Sequence, residues 1–374
     1  MIAVPRTDTS LLGRWWWTVD RWTVVALALL TGIGALMVMA ASPPIADRIG
    51  LGHFHFFQRH LVFLAPAAAV MFAVSLLSPT GVWRAASVVL VIALLLSVAT
   101  LLIGDEVKGA RRWLQIGGFS FQPSEMIKPA FAVVAARLFS IQRQDRRFPG
   151  DLIAIGLFLA VVGILALQPD FGMAVVVSGV WFAQYFMAGL PLIWVGALVG
   201  IGIAGIGAGY ALLPHVQIRI DRFLNPESGD SYQVDMSLQA FSSGGMFGRG
   251  PGEGVVKGSL PDAHADFIFA VVGEEFGLLV CLAIVGLFAF VVLRGFARAI
   301  QEESLFVMLA AGGLLTQFGL QALLNMAVTL HLVPTKGMTL PFISYGGSSL
   351  ISLALAMGMV LALTRRGSGA RSDL

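Results

Sequence analysis

The sequence predicts an all-α, polytopic integral membrane protein of about ten transmembrane helices, with both termini cytoplasmic and a large extracytoplasmic loop between helices 7 and 8. Three observations carry this. Of 374 residues, 57% are hydrophobic and only 12% charged, about half the charge of an average soluble domain. Apolar runs of spanning length recur along the chain. The arginines of the short connectors gather on alternate sides of those runs. Mean hydropathy is +0.85.

Composition also excludes function classes. The net charge of +3 is spread over many loops. Without a basic cluster it gives no nucleic-acid surface. The single Cys281 lies in an apolar run, which leaves neither an intrachain disulfide nor a thiolate metal site; a buried structural thiol is expected.

Residues 1–21 form an N-terminal segment expected in the cytoplasm. It is mixed in polarity and has no small-residue cleavage site after a short apolar core, so it does not read as a cleavable signal. Trp15, Trp16 and Trp17 suit an interfacial aromatic belt. The body, 22–366, is read as one transmembrane domain, and 367–374 as a cytoplasmic tail. Expected spans are 22–41, 57–77, 85–104, 123–140, 152–167, 172–189, 192–213, 264–293, 304–327 and 341–364. The fifth and sixth are short and separated only by Gln168–Gly172, where a re-entrant pair is an alternative. The eighth is long enough to begin outside the hydrocarbon.

With the N-terminus inside, 13 of the 24 Lys and Arg residues fall on the cytoplasmic side, all of them arginine. The connector 137–151 holds four of these and fixes the local orientation. The four lysines, Lys108, Lys128, Lys257 and Lys336, fall on the outer side. A phosphate-bearing ligand approached from outside would account for that bias.

Three polar segments then face outward: 105–128, 214–266 and 331–349. In the first, Arg111, Arg112 and Trp113 suggest an interfacial helix with an aromatic anchor. Gln122-Pro-Ser-Glu125 opens the fourth span, with Pro123 in the first helical turn. Glu125 and Lys128 are three residues apart and share a face. They form either a structural staple or a device that presents Lys128 to an anion. Asp170, in the turn between spans five and six, is expected to cap the next helix, with a role in a cavity as the alternative.

The long loop 214–263 carries an amphipathic helix at 232–243. Its glycines are not a phosphate loop, because no Gly-Lys-Ser/Thr follows. A loop of this length in a compact chain is expected to be functional. At 334–349 small and hydroxyl residues permit close helix packing or offer donors to a sugar or phosphate.

The stretch Leu260–Gly277 concentrates ionisable groups at and inside a span. Such groups usually face a cavity, a partner or a reaction. Asp262 is expected as the helix N-cap. Glu274 lies eight residues beyond Asp266, about 12 Å along a helix. That is too far for two carboxylates to share one glycosidic bond in the retaining geometry of about 5 Å. Asp266 is therefore the lone candidate general base. Glu274 and Glu275 are expected to be interior structural groups, paired across helices.

These segments together resemble the shape, elongation, division and sporulation (SEDS) family of FtsW, RodA and SpoVE membrane proteins. The resemblance runs from about residue 20 to 366. It rests on Lys108–Trp113, Gln122–Glu125, Gln168–Gly172, Leu260–Phe269 and Ile343–Ser349. Ala270–Glu275 and Leu332–Gly337 are more similar to the FtsW branch. The chain departs at Ala265 and Met173, where the family commonly has Thr, and Thr or Ser; neither change removes an acid or base. The resemblance implies a peptidoglycan glycosyltransferase of the bacterial inner membrane, at the division septum, that polymerises lipid II. The family's catalytic aspartate maps to Asp266, and its tryptophan and lysine to Trp113 and Lys128. Candidate substrate-binding residues are Arg112, Trp113, Gln122, Glu125, Lys128, Asp170, His264, Lys336 and Ser344. No cofactor is established. A divalent cation, Mg or Mn, could share the charge of the leaving pyrophosphate, although no multi-carboxylate motif stands out. Implied partners are a class B (FtsI-like) penicillin-binding protein transpeptidase, other divisome membrane proteins and the bilayer itself. The competing readings are a lipid II flippase lined by Glu274 and Glu275, and a non-catalytic scaffold.

Overall fold

A computed structural model describes residues 10–107, 110–189, 192–212, 217–218, 220–221, 223, 232–334 and 337–365. Lys108 and Lys336 lie outside the described residues, as does most of 214–231. The ten expected spans each meet a helix. They are α2 (Arg21–Arg48), α3 (His55–Ser75), α4 (Pro79–Ile103), α5 (Pro123–Gln144), α6 (Gly150–Leu167), α7 (Phe171–Met187), α8 (Leu192–Leu212), α10 (Ile268–Ala299), α11 (Leu305–Thr329) and α12 (Gly347–Leu363). Among the described residues α1 (Leu11–Thr18) precedes them and α9 (Tyr232–Gly244) lies between α8 and α10. The expected amphipathic helix at 232–243 is α9. α1 carries the three tryptophans, and Trp15 Nε1 donates to Ser75 Oγ at 2.8 Å.

α5, α11 and α12 form the centre. α5 is buried from Pro123 to Val133, and α12 from Ser348 to Leu363 with a single half-buried position, Ile351. α5 packs on α4 and α11, α12 packs on α3, and α10 packs on α2, α9 and α11. The outer helices keep leucine, isoleucine and valine exposed, as at Val91, Leu95 and Leu102 of α4. That is the pattern of helices facing lipid rather than water.

The segment 105–121 corrects the expected interfacial helix. It is a three-stranded antiparallel sheet: β1 (Asp105–Val107), β2 (Ala110–Ile116) and β3 (Phe119–Phe121). Gly117 and Gly118 take φ of 58° and 81°. Two consecutive positive-φ residues make the two-residue hairpin turn that matches strand twist. Ile116 then pairs with Phe119, and Leu114 with Phe121.

α10 is broken. Gly277 sits at φ 75°, ψ −176°, a region open in practice only to glycine. The loop 245–258 folds back into the break. Its Arg249 and Gly250 N–H groups donate to the Glu274 and Glu275 carbonyls at 3.0 Å each. Leu278 N donates to Gly245 O at 3.0 Å. Backbone freed by the break is thus satisfied within the protein, as a bilayer requires. Any side chain at Gly277 would put a Cβ 2.4 Å from Gly248 N.

Glu274 and Glu275 are interior structural groups, but their partner is this loop and not another helix. The Glu274 carboxylate accepts from the N–H groups of Val255, Val256 and Lys257 at 2.7, 2.7 and 2.9 Å. Glu275 forms a buried ion pair with Lys257 and accepts from Gly252 N at 3.1 Å. Cys281 is buried, as expected.

Candidate active site

A cavity of about 340 Å³ opens at the end of the bundle where α5 and α12 begin. It lies opposite the end that holds Asp20, Arg143, Arg294 and Arg298. Its walls are α3, the β-sheet, the first turn of α5, the turn 262–266 and the segment 337–349. Of the candidate site residues, Arg112, Trp113, Gln122, Glu125, His264 and Asp266 line it directly.

The turn that carries Asp266 differs from expectation. α10 starts at Ile268, with Phe267 at the N-cap position. Asp262 is therefore not the N-cap. It sits in a left-handed conformation, φ 51°, and its carbonyl gathers the N–H groups of Ala265 and Asp266 at 2.9 and 3.0 Å. The chain coils once before the helix begins, which turns Asp262 and Asp266 both toward the cavity.

Three consecutive carbonyls of this turn are held from outside. His264 O accepts from Tyr345 N at 2.9 Å. Ala265 O accepts from Ser344 Oγ at 2.6 Å. Asp266 O accepts from Asn325 Nδ2 at 2.9 Å. Ser344 thus lies behind the turn and braces it. The His264 ring packs on Phe56, with centroids 4.1 Å apart, and near Tyr345 at 5.3 Å.

Across the cavity, Arg112 on β2 pairs with Asp170 at 3.4 Å. Asp170 does both things the sequence allowed. One oxygen caps α7, accepting from Met173 N at 3.3 Å. The other accepts from Gln122 Nε2 at 3.0 Å and faces Arg112. Lys128 and Glu125 pair at 2.7 Å, and the lysine side chain is 1% exposed. Lys128 also donates to Gln321 Oε1 at 2.8 Å. Glu125 therefore meets the cavity, and Lys128 stands behind it as its counter-ion.

The cavity also contains Arg59, which sequence reasoning passed over, and Thr339 and Tyr345 from the hydroxyl-bearing segment 334–349. Arg59 had a usable signal, a charge within an apolar run. It donates to Gly118 O at 2.6 Å and lies over the Phe119 ring, which joins α3 to the sheet. Gln321 and Asn325 lie inside a span with no local motif to mark them.

The electrostatics suit an anion beside a base. Arg59 and Arg112 bring fixed positive charge. The first turns of α5 and α12 line the same space, and helix N-termini carry about half a positive charge each. Asp266 lines the same cavity. Among the described residues no group of three or more His, Cys, Asp or Glu side chains gathers as ion ligands.

The family model for FtsW, RodA and SpoVE, described as a cell cycle protein, matches residues 21–368. The chain is 45% identical over 369 residues to a "Probable peptidoglycan glycosyltransferase FtsW" of Caulobacter vibrioides, covering 98% of this chain and 95% of that protein. It is 38% identical to the protein so named in Coxiella burnetii, covering 93% and 96%. Among solved structures it is similar to a chain of a peptidoglycan synthase complex that coordinates polymerization and crosslinking. The TM-score there is 0.76 at 29% identity, covering 92% of this chain and 97% of that one. It is also similar to the rod shape determining protein RodA of Thermus thermophilus, with a TM-score of 0.69 at 29% identity, covering 93% and 97%.

Proposed function

Because the chain belongs to the SEDS family, we infer that it is a peptidoglycan glycosyltransferase that polymerises lipid II at the outer face of the cytoplasmic membrane. The observation that supports this most directly is one cavity that combines Asp266 with Arg59, Arg112 and two helix N-termini. A sugar acceptor needs a base, and a pyrophosphate leaving group needs fixed positive charge.

In this reading Asp266 takes the proton from the 4-hydroxyl of the acceptor's GlcNAc. That oxygen attacks the anomeric carbon of the donor's MurNAc, and undecaprenyl pyrophosphate departs with inversion. Negative charge grows on the pyrophosphate in the transition state. Arg59 and Arg112 meet it with little reorganisation, since the hairpin and Asp170 hold them in place. Trp113 and His264 offer flat faces to a sugar. Lys128 pairs with Glu125 and holds it in place. Asp262, facing the same cavity, orients the acceptor. The lipid tails of both substrates stay in the bilayer beside the helices.

The relatives named FtsW and the FtsW-like segments Ala270–Glu275 and Leu332–Gly337 support a role in division, and the septum is the site we propose for it. The synthase complex, which coordinates polymerization and crosslinking, supports pairing with a penicillin-binding protein; the class B, FtsI-like transpeptidase and other divisome membrane proteins are the partners we propose. The test is glycan synthesis from purified lipid II by the protein with its transpeptidase partner. General-base help is worth about 10²–10⁴-fold, so Asp266→Ala should cut polymerisation by at least 100-fold while the protein stays folded. Glycan formed at the normal rate by Asp266→Ala would refute the assignment.

A further inference from the structure

We propose that Asn325 is a positioning residue for Asp266, acting through backbone rather than through the reacting atoms. This rests on the general-base reading above. Asn325 lies on α11 and is 1% exposed. Its amide nitrogen spends both protons on carbonyls from two distant segments: Asp266 O at 2.9 Å and Met338 O at 2.6 Å. The second carbonyl belongs to the residue next to Gly337, which the Asp266 carboxylate approaches. A Cβ added at Gly337 would lie 3.2 Å from Asp266 Oδ2, so the carboxylate sits beside this glycine and a side chain there would crowd it. One side chain therefore holds both the residue that carries the carboxylate and the residue that follows the glycine beside it.

One helical turn earlier, Gln321 makes the same kind of grip. It accepts from Lys128 Nζ at 2.8 Å and donates to Thr339 O at 3.1 Å. Residues four apart share a helix face, so α11 holds consecutive carbonyls, 338 and 339, on one rigid ladder. The same ladder reaches Asp266 on one side and the Lys128–Glu125 pair on the other. The two sides of the cavity are thereby registered to a single helix. Helix packing alone would be served as well by leucine, since a buried amide is costly wherever its bonds gain nothing. Two donors aimed at two carbonyls are what positioning requires.

The experiment compares Asn325→Leu and Asn325→Asp with wild type in lipid II polymerisation by the full complex, with thermal melting alongside. Asn325→Leu keeps the branched shape, with bulkier ends, and removes both donors. Its kcat should fall about 10–100-fold, the effect of a misplacement near 1 Å, with KM within about twofold and melting little changed. Asn325→Asp keeps the shape but turns an oxygen toward the two carbonyls, and should be impaired at least as much. A wild-type kcat in folded Asn325→Leu, or a loss confined to KM, would overturn the proposal. So would full activity in Asn325→Asp, which decides the matter even where the leucine variant fails to fold. Asp266→Ala run in parallel separates the two claims. If it is active, the general-base reading fails. If it is inert while Asn325→Leu is normal, only the positioning role fails.

Discussion

Replacing Glu274 by glutamine separates a carboxylate that builds the protein from one that works in it. Glu274 is fully buried. Its Oε1 accepts from Val255 and Val256 N–H, and its Oε2 from Lys257 N–H. Glutamine in the same pose keeps the first two bonds as weaker, neutral ones. It also sets an NH2 group against the Lys257 N–H. One charge-assisted bond is lost and one buried donor is left without an acceptor, a cost of about 2–4 kcal/mol. At roughly 2 °C per kcal/mol for a chain of this size, melting should drop by about 4–8 °C. Tryptophan fluorescence in detergent reads this, and limited proteolysis should show residues 245–258 cut sooner. Polymerisation measured well below the melting point should stay within a few fold of wild type. The opposite result would refute the structural account: unchanged melting with activity abolished. That outcome would return Glu274 to a proton or substrate path, as the flippase reading requires.

Two further outcomes follow from packing and charge. A Cβ at Gly34 of α2 would lie 2.2 Å from Phe342 O, whereas one at Gly32 meets nothing within 4 Å. Gly34→Ala should therefore cost about 1–3 kcal/mol and lower activity by shifting the turn that carries Ser344 and Tyr345, while Gly32→Ala serves as a silent control in the same melting assay. Asp20, at the opposite end of the bundle, is pulled two ways. Burial raises its pKa, but the bonds from Arg294 and Thr23 and the charge of Arg298 outweigh it, leaving it below the ordinary value of 3.8. Its contribution to stability is therefore complete above that value and lost as pH falls through the lower folded one. Asp20→Asn should flatten the acid limb of a plot of melting temperature against pH.

The helical architecture was legible because hydrophobic length is set by the bilayer and shows in any window of about 20 residues. The polar chemistry of Glu125, Lys128 and Asp170 was legible in part, because spacing of three or four residues on a helix is a local fact. What failed was also local, but needed a different template. Trp113 beside two arginines suggested a helix, while the Gly117-Gly118 pair after alternating residues was the stronger cue for a hairpin. Asp262 had the residue type of an N-cap, yet the turn before α10 is shaped by Tyr345, Ser344 and Asn325, all of them distant in sequence. The partners of Glu274 and Glu275 could not be read at all. They are backbone N–H groups and one lysine of a loop that returns to a break in the helix, and backbone donors leave no trace in residue identity.

The break at Gly277 has a consequence for biosynthesis. A chain is made from its N-terminus, so residues 245–258 are exported before the helix that will receive them exists. They can dock only after α10 has entered the membrane. The coil around Asp266 must wait longer still, for Asn325 on α11 and for Ser344 and Tyr345 just ahead of α12. The nascent protein therefore acquires its organised outer surface at the end of synthesis and all at once. A chain stalled or cut before its last helix would sit in the membrane without a formed cavity.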